Sequence, residues 1–162
     1  MSRIQGRLQT QGYGISTSDE GLLAWDWVNE QMSQARNYWI CSTRPDGKPH
    51  TVPVWAVWMD ETLYFSCGRT SRKAKNLAIN PAVAIHLESG DDAVILEGVV
   101  QELTDRALLT RVIDIYAVKY PPFKPNPDDP DNIFYALKPH ITLAWQERDF
   151  PNTATRWIDD EA

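Results

Sequence analysis

Four cations, Arg69, Arg72, Lys73 and Lys75, fall within seven residues where an apolar, strand-like run gives way to the start of a short helix. The unpaired N–H groups and positive dipole end of a helix N-terminus repel cations, so this placement is unfavourable unless an anion is shared between them. No Asp or Glu occurs from Thr62 through Leu87 to offset the charge. A basic run alone is most often a solvated helix face. This one is wedged between two strand-like segments and ends at Asn80-Pro81, so its expected occupant is a phosphate held by helix N–H groups, the hydroxyls of Thr70 and Ser71, and the Arg/Lys side chains.

Other chemistries find little support. His50, His86 and His140 stand far apart, and none has a ligand partner at metal-site spacing. Gly-x-Ser-x-Gly, Walker and Gly-x-Gly-x-x-Gly motifs are absent, which argues against acyl transfer and nucleotide hydrolysis. Cys41 and Cys67 lie in apolar runs without redox-pair or zinc spacing and read as core thiols. A net charge of -6 argues against a nucleic-acid partner, whose footprint would be a broad basic face. No run approaches the length of a membrane helix and no secretory stretch opens the chain, so a cytoplasmic protein without membrane contact is expected. What remains is an anion anchor beside aromatic-rich strands, a pairing suited to a flat phosphorylated cofactor. Seven tryptophans supply flat walls, although most are expected in the core.

The elements that must position this anchor follow from pattern. The 162 residues suffice for one domain: residues 1–16 read as a flexible N-terminal arm and residues 17–158 as a single folded unit. Thr17 and Glu20 form a capping-box pattern before an apolar stripe (Leu22, Trp25, Val28, Met32, Ala35), which predicts a helix over 19–35. Strands are predicted over 37–43, 50–58, 63–67, 82–87, 93–103, 133–137 and 141–146. A short helix over 71–79 carries the cations. Asp105 begins a longer helix with the stripe Leu108, Leu109, Val112, Ile113, Tyr116 and Tyr120. Pro53 inside a strand implies an edge, a bulge, or a place where pairing yields to a ligand. Five of the eleven prolines fall in 120–132, a stiff connection readable as a lid, an arm to a partner or a plain crossover. Short strands with tight turns imply a mainly β protein with flanking helices, its antiparallel sheet closed into a small barrel.

The ordered segments Asp46 to Trp55, Leu63-Tyr64-Phe65, Ser71 to Pro81 and Glu97-Gly98-Val99 resemble the successive motifs of the pyridoxamine 5'-phosphate oxidase-like FMN-binding split-barrel superfamily. Thr155-Arg156-Trp157 resembles the closing motif of its flavin/deazaflavin-dependent oxidoreductase branch. The resemblance spans roughly residues 20–158. It implies a six-stranded antiparallel split β-barrel of Greek-key order, a homodimer, and cofactor sites at the dimer interface. By the same resemblance Ser71, Arg72 and Lys73 hold the cofactor phosphate, Asn76 faces the same site one turn on, and Val52, Pro53, Val54 and Trp55 border the ring. Ser66 and Cys67 occupy the strand end beside the phosphate, and Arg156 and Trp157 close the pocket.

Two departures bear on activity. True pyridoxamine-phosphate oxidases carry an Arg and a Lys where this chain has Thr51 and Ala56, and the substrate-gripping Arg-rich ending is absent. The resemblance therefore implies an oxidoreductase using FMN or the deazaflavin coenzyme F420, the two left equally open, that exchanges a hydride with a small organic substrate. Tyr116, Tyr120 and Tyr135 are candidate proton donors, each more often structural in an apolar stripe. The competing readings are a non-catalytic flavin-binding or stress-related protein and, last, a haem-handling barrel for which His140 would be the ligand.

Overall fold

The computed structural model describes residues 2–160, and its architecture is mainly β with flanking helices. Eleven strands form two antiparallel sheets among the described residues. The seven-stranded sheet runs β1 (Arg3–Arg7), β11 (Thr155–Asp159), β10 (Ile141–Gln146), β7 (Asp92–Val99), β6 (Ala82–His86), β2 (Tyr38–Thr43), β3 (Pro49–Val54). The four-stranded sheet runs β4 (Ala56–Met59), β5 (Thr62–Gly68), β9 (Asn132–Leu137), β8 (Gln101–Glu102). The expected single sheet closed as a six-stranded barrel is thus corrected to two sheets that hydrogen bonding does not close. The reason lies in two bends. The segment predicted as one strand over 50–58 breaks at Trp55, so β3 ladders with β2 while β4 ladders with β5. The segment over 93–103 breaks at Val100 in the same way, passing from β7 to β8. At the second bend Gly98 is needed for close approach: a Cβ there would lie 2.9 Å from Leu137 Cδ1 and 3.1 Å from the Lys138 carbonyl.

The main core lies between the sheets and is closed by α1 (Trp25–Gln34) and α2 (Arg72–Ile79). Alternation puts Tyr38 and Ile40 of β2, Ile85 of β6 and Leu96 of β7 inward, facing Leu63 and Phe65 of β5 and Leu137 of β9. The opposite side of the four-stranded sheet is covered by α3 (Arg106–Lys119): Val112 packs with Val57, Met59 and Tyr64, while Leu109 and Ile113 pack on Phe134. Its N-terminus is held by Asp105, whose carboxylate accepts from the Leu108 N–H at 2.9 Å. The short α4 (Phe150–Thr153) leads into β11.

Two local expectations change. The predicted first helix over 19–35 begins only at Trp25, with Ala24 as an N-cap that makes no side-chain hydrogen bond. Ser16 and Ser18 hydroxyls instead accept from the N–H groups of Ser18 and Glu20, so this stretch spends its polar groups on turns. Residues 1–16, read as a flexible arm, contain β1, which pairs with β11 over five residues. Arg3 explains why so polar a segment docks. Its guanidinium donates to Asp159 at 2.6 Å and to Glu61 at 2.8 Å, and lies 3.5 Å from the Trp25 ring centroid, whose indole N–H donates to Glu61 at 2.6 Å. Among the described residues no helix is long and apolar enough to cross a membrane.

Candidate functional site

The bend at Trp55, the end of β5 and the first turn of α2 meet around a cleft of about 460 Å³, lined by Asn37, Pro53, Val54, Trp55, Ser66, Cys67, Lys73 and Tyr116. Six of these are sequence-predicted cofactor residues. A larger groove, about 920 Å³, runs along the outer face of the seven-stranded sheet past Cys41, Ala84 and Glu97 to the Lys138-Pro139-His140 turn. Size alone favours the groove. The smaller cleft is the better candidate because it collects a buried cation, helix amides and aromatic walls in one place.

Lys73 is the decisive member. It is only 8 % exposed as a residue, and among the described residues no hydrogen-bond acceptor or carboxylate reaches its ammonium, which lies 5.8 Å from the Phe65 ring centroid. Burial lowers its pKa, and the neighbouring Cys67 offsets part of that. A largely desolvated ammonium without a partner gains from an anion that joins it. The local fold supplies further donors. Ser71 is the N-cap of α2, accepting from the Ala74 N–H at 3.1 Å, and the Lys75 N–H bonds the Ser71 carbonyl at 3.1 Å. Among the described residues nothing accepts from the Arg72 and Lys73 amides, which is the ordinary condition of a helix start and the basis of anion binding there. Arg72 itself is exposed at this end.

The other cations divide. Arg69 is committed elsewhere: its guanidinium donates to the Pro130 carbonyl at 3.1 Å and approaches Glu102 at 3.7 Å, tying the turn between β5 and α2 to the proline-rich 120–132 segment. Lys75 is exposed. Asn76 shares the buried face of α2 with Lys73 but points into the interior, where its amide donates to Ser42 Oγ at 3.0 Å and its Oδ1 is buried without a partner. Val52 faces the interior of β3 and does not line the cleft. Pro53 sits on β3, which is indeed an edge strand, where a missing N–H can face away from the one neighbour. Cys67 is a core thiol only in part: it packs against the main core, yet it is partly exposed and lines the cleft. Cys41 lies on the outer face of β2, accepting from Thr51 Oγ at 3.4 Å.

Arg156 and Trp157 lie on β11, at the other end of the seven-stranded sheet from β3. Trp157 is 2 % exposed and meets Trp25 edge-on at 5.4 Å, so its indole is spent on the core. Neither lines the cleft of its own chain.

The wall opposite Lys73 is set by α3. Trp55 stacks on Tyr120 with centroids 4.7 Å apart and planes within 4°. Tyr120 Oη accepts from the Ala56 N–H at 3.2 Å and lies 2.8 Å from the Arg36 carbonyl, while Lys119 Nζ donates to the Ala56 carbonyl at 3.0 Å and to Tyr38 Oη at 2.7 Å. The last turn of α3 thereby fixes the bend that presents Trp55. Burial pushes the Lys119 pKa down to about 8. Of the three candidate proton donors, Tyr120 is occupied by the backbone and Tyr135, pushed up to about 12 by burial, stacks on Phe65 at 5.3 Å. Tyr116 alone reaches the cleft, its pKa also raised by burial.

Sequence reasoning missed Asn37 as a lining residue and Lys119 as a support. A polar residue opening an apolar strand was the only signal for the first. The spacing of Lys119 beside the Tyr116/Tyr120 stripe was the only signal for the second. His140 is exposed in the outer groove, and no cluster of potential metal ligands occurs among the described residues.

Residues 25–146 match the model of a family described as pyridoxamine 5'-phosphate oxidase. No curated protein sequence matches the chain. Among solved structures, a conserved hypothetical protein of Mycobacterium tuberculosis superposes with a TM-score of 0.69 at 22 % identity, covering 86 % of this chain and 91 % of its own. A protein described as an F420 reductase gives 0.57 at 24 %, covering 70 % and 94 %. General Stress Protein 26 of Bacillus anthracis gives 0.61 at 21 %, covering 74 % and 91 %. At such identities these likenesses speak to the fold.

Proposed function

Because this chain belongs to the pyridoxamine 5'-phosphate oxidase family, we propose that it is an oxidoreductase holding FMN or a deazaflavin coenzyme in the cleft between Trp55 and Lys73. The observation that carries the proposal is Lys73, nine-tenths buried as a residue and lining the cleft with no hydrogen-bond acceptor among the described residues, beside two free helix amides. In this reading Lys73, Arg72 and the first-turn amides of α2 hold the phosphate, with the Ser71 and Ser66 hydroxyls beside it. The Pro53–Trp55 backbone and the Trp55 ring border the flat ring system. The cofactor supplies hydride chemistry, while the chain orients it, keeps water from one face and offers Tyr116 as a group able to hold a proton. Counting each bent strand once, we read β2, β3 with β4, β5, β9, β8 with β7, and β6 as the six strands of a split barrel whose two sheets meet at the bends without a closed ladder. The outer face of the seven-stranded sheet supports a homodimer: Val99, Ile95, Leu143, Ile141, Ile158 and Ile4 share it by register, and Val99 and Ile4 are over half exposed. In a dimer Arg156, which projects to this same face, would be available to the partner's site. Thr51 and Ala56 in place of Arg and Lys speak against pyridoxamine-phosphate oxidation, so the substrate is another small oxidised or unsaturated organic compound.

The test is titration of the protein with FMN and, separately, F420, followed by gel filtration and absorbance. Retention of one chromophore is expected, with affinity falling roughly tenfold to a hundredfold in Lys73→Ala, the span of one charge-assisted phosphate contact. Equal affinity in both proteins would sink the assignment of the site. Steady-state reduction of a quinone or dye by the reconstituted protein then separates enzyme from carrier: no turnover favours a stress-related or storage role.

A further inference from the structure

We propose that Cys67 is a covalent modification site for soft electrophiles of the α,β-unsaturated carbonyl class, with the Lys73 ammonium as counter-ion of the attacking sulfur, and that the adduct closes the anion corner. The regulatory half of this inference rests on the proposed cofactor site; the thiol half stands on geometry alone.

Cys67 ends β5 and is partly exposed in the same cleft as Lys73. No lining residue of that cleft is acidic, so nothing there competes with sulfur for the ammonium. Lys73 is nine-tenths buried, lines the same cleft as Cys67, and has no hydrogen-bond acceptor among the described residues. A thiol beside a desolvated cation is the environment that makes cysteine nucleophilic, since the cation stabilises the negative charge sulfur carries when it attacks. Cys41 provides the contrast within one molecule. It is partly exposed too, but its sulfur lies on the outer sheet face against the Thr51 hydroxyl.

The step consumes no oxidant. The thiol proton leaves to solvent, a sulfur lone pair forms the S–C bond at the β-carbon, the C=C pair shifts to the α-carbon through the carbonyl, and water returns a proton there. The thioether then occupies space next to Lys73, and a phosphate can no longer reach it. Reactive carbonyls would thereby prevent loading of the empty protein, while bound cofactor would shield the sulfur.

N-ethylmaleimide labelling of the full chain at neutral pH, resolved by peptide mass spectrometry, tests this. In wild-type protein Cys67 should label on the order of tenfold faster than Cys41; equal rates overturn the proposal without any variant. Lys73→Met should bring Cys67 to the Cys41 rate and Lys73→Arg should restore it. An unchanged Cys67 rate in Lys73→Met, with the Cys41 rate also unchanged as a sign of intact folding, overturns it equally. Cofactor retention is scored on unlabelled protein. Protein that binds neither chromophore yet shows Lys73-dependent labelling defeats the cofactor reading and leaves the thiol pair standing; the converse result defeats only the thiol pair.

Discussion

Lys119 illustrates how one buried charge can be read from outside. Burial holds its pKa near 8, against 10.5 for an ordinary lysine, so between those values the unfolded chain binds a proton that the folded chain has released. Stability must therefore rise with pH across that window and be lost as pH falls through 8. Melting curves of wild type and Lys119→Met should diverge accordingly, wild type gaining about 2–4 °C on the variant from the lower to the upper end, the size of ~1 kcal/mol in a chain of this length. Parallel curves would mean that the Lys119 ammonium is solvated. At this scale the sequence was partly legible. Lys73 was legible from the local clustering of charge, while Pro53, Val54, Trp55, Ser66 and Cys67 came from the family resemblance; all six line the cleft. Asn76, Val52 and Trp157 do not line it, because which face of a helix or strand turns inward depends on what packs against it. Lys119 lies over sixty residues from the Ala56 carbonyl it supports, a separation no local pattern encodes.

Elements were more legible than their joints. Nearly every interior strand and the two functional helices fall within a residue or two of expectation, since alternation and N-caps are written in neighbouring residues. Asp105→Ala should cost about 1 kcal/mol by removing the cap of α3, seen as a lower denaturation midpoint with unchanged slope. The breaks at Trp55 and Val100 were invisible because apolar residues continue through them and only the change of partner strand marks the bend. β1 was equally hidden, being polar and held by an ion network rather than by burial. Arg3 keeps the Glu61 carboxylate below its ordinary value of 4.5, chiefly through their hydrogen bond. That contribution is present above 4.5 and is lost as pH falls below it. Arg3→Met should thus destabilise by about 1 kcal/mol near neutrality, since the pair is half solvated, and the deficit should shrink in acid. A deficit independent of pH would assign the effect of Arg3 to its stacking on Trp25 instead.

For the molecule as a whole, the two sheets enclose one core while the outer face of the larger sheet keeps an apolar surface. Leu143→Arg places a charge in the middle of that face, where it is tolerated by a solvated sheet and expensive in a buried one. Light scattering should report a dimer for wild type and a monomer for the variant, with the far-ultraviolet spectrum unchanged. A wild-type monomer at micromolar concentration would remove the dimer from the functional reading while leaving the cleft intact.

β3 forms the border of the larger sheet beside the cleft, with Pro49 and Pro53 set four residues apart along it. A border strand is a template onto which any extended chain can dock, and imino nitrogens interrupt the row of donors such docking would use. The same residue that shapes the cleft would then keep newly made chains from fusing border to border. Replacing Pro53 with valine would be expected to leave the native molecule standing while turning concentrated solutions cloudy on storage.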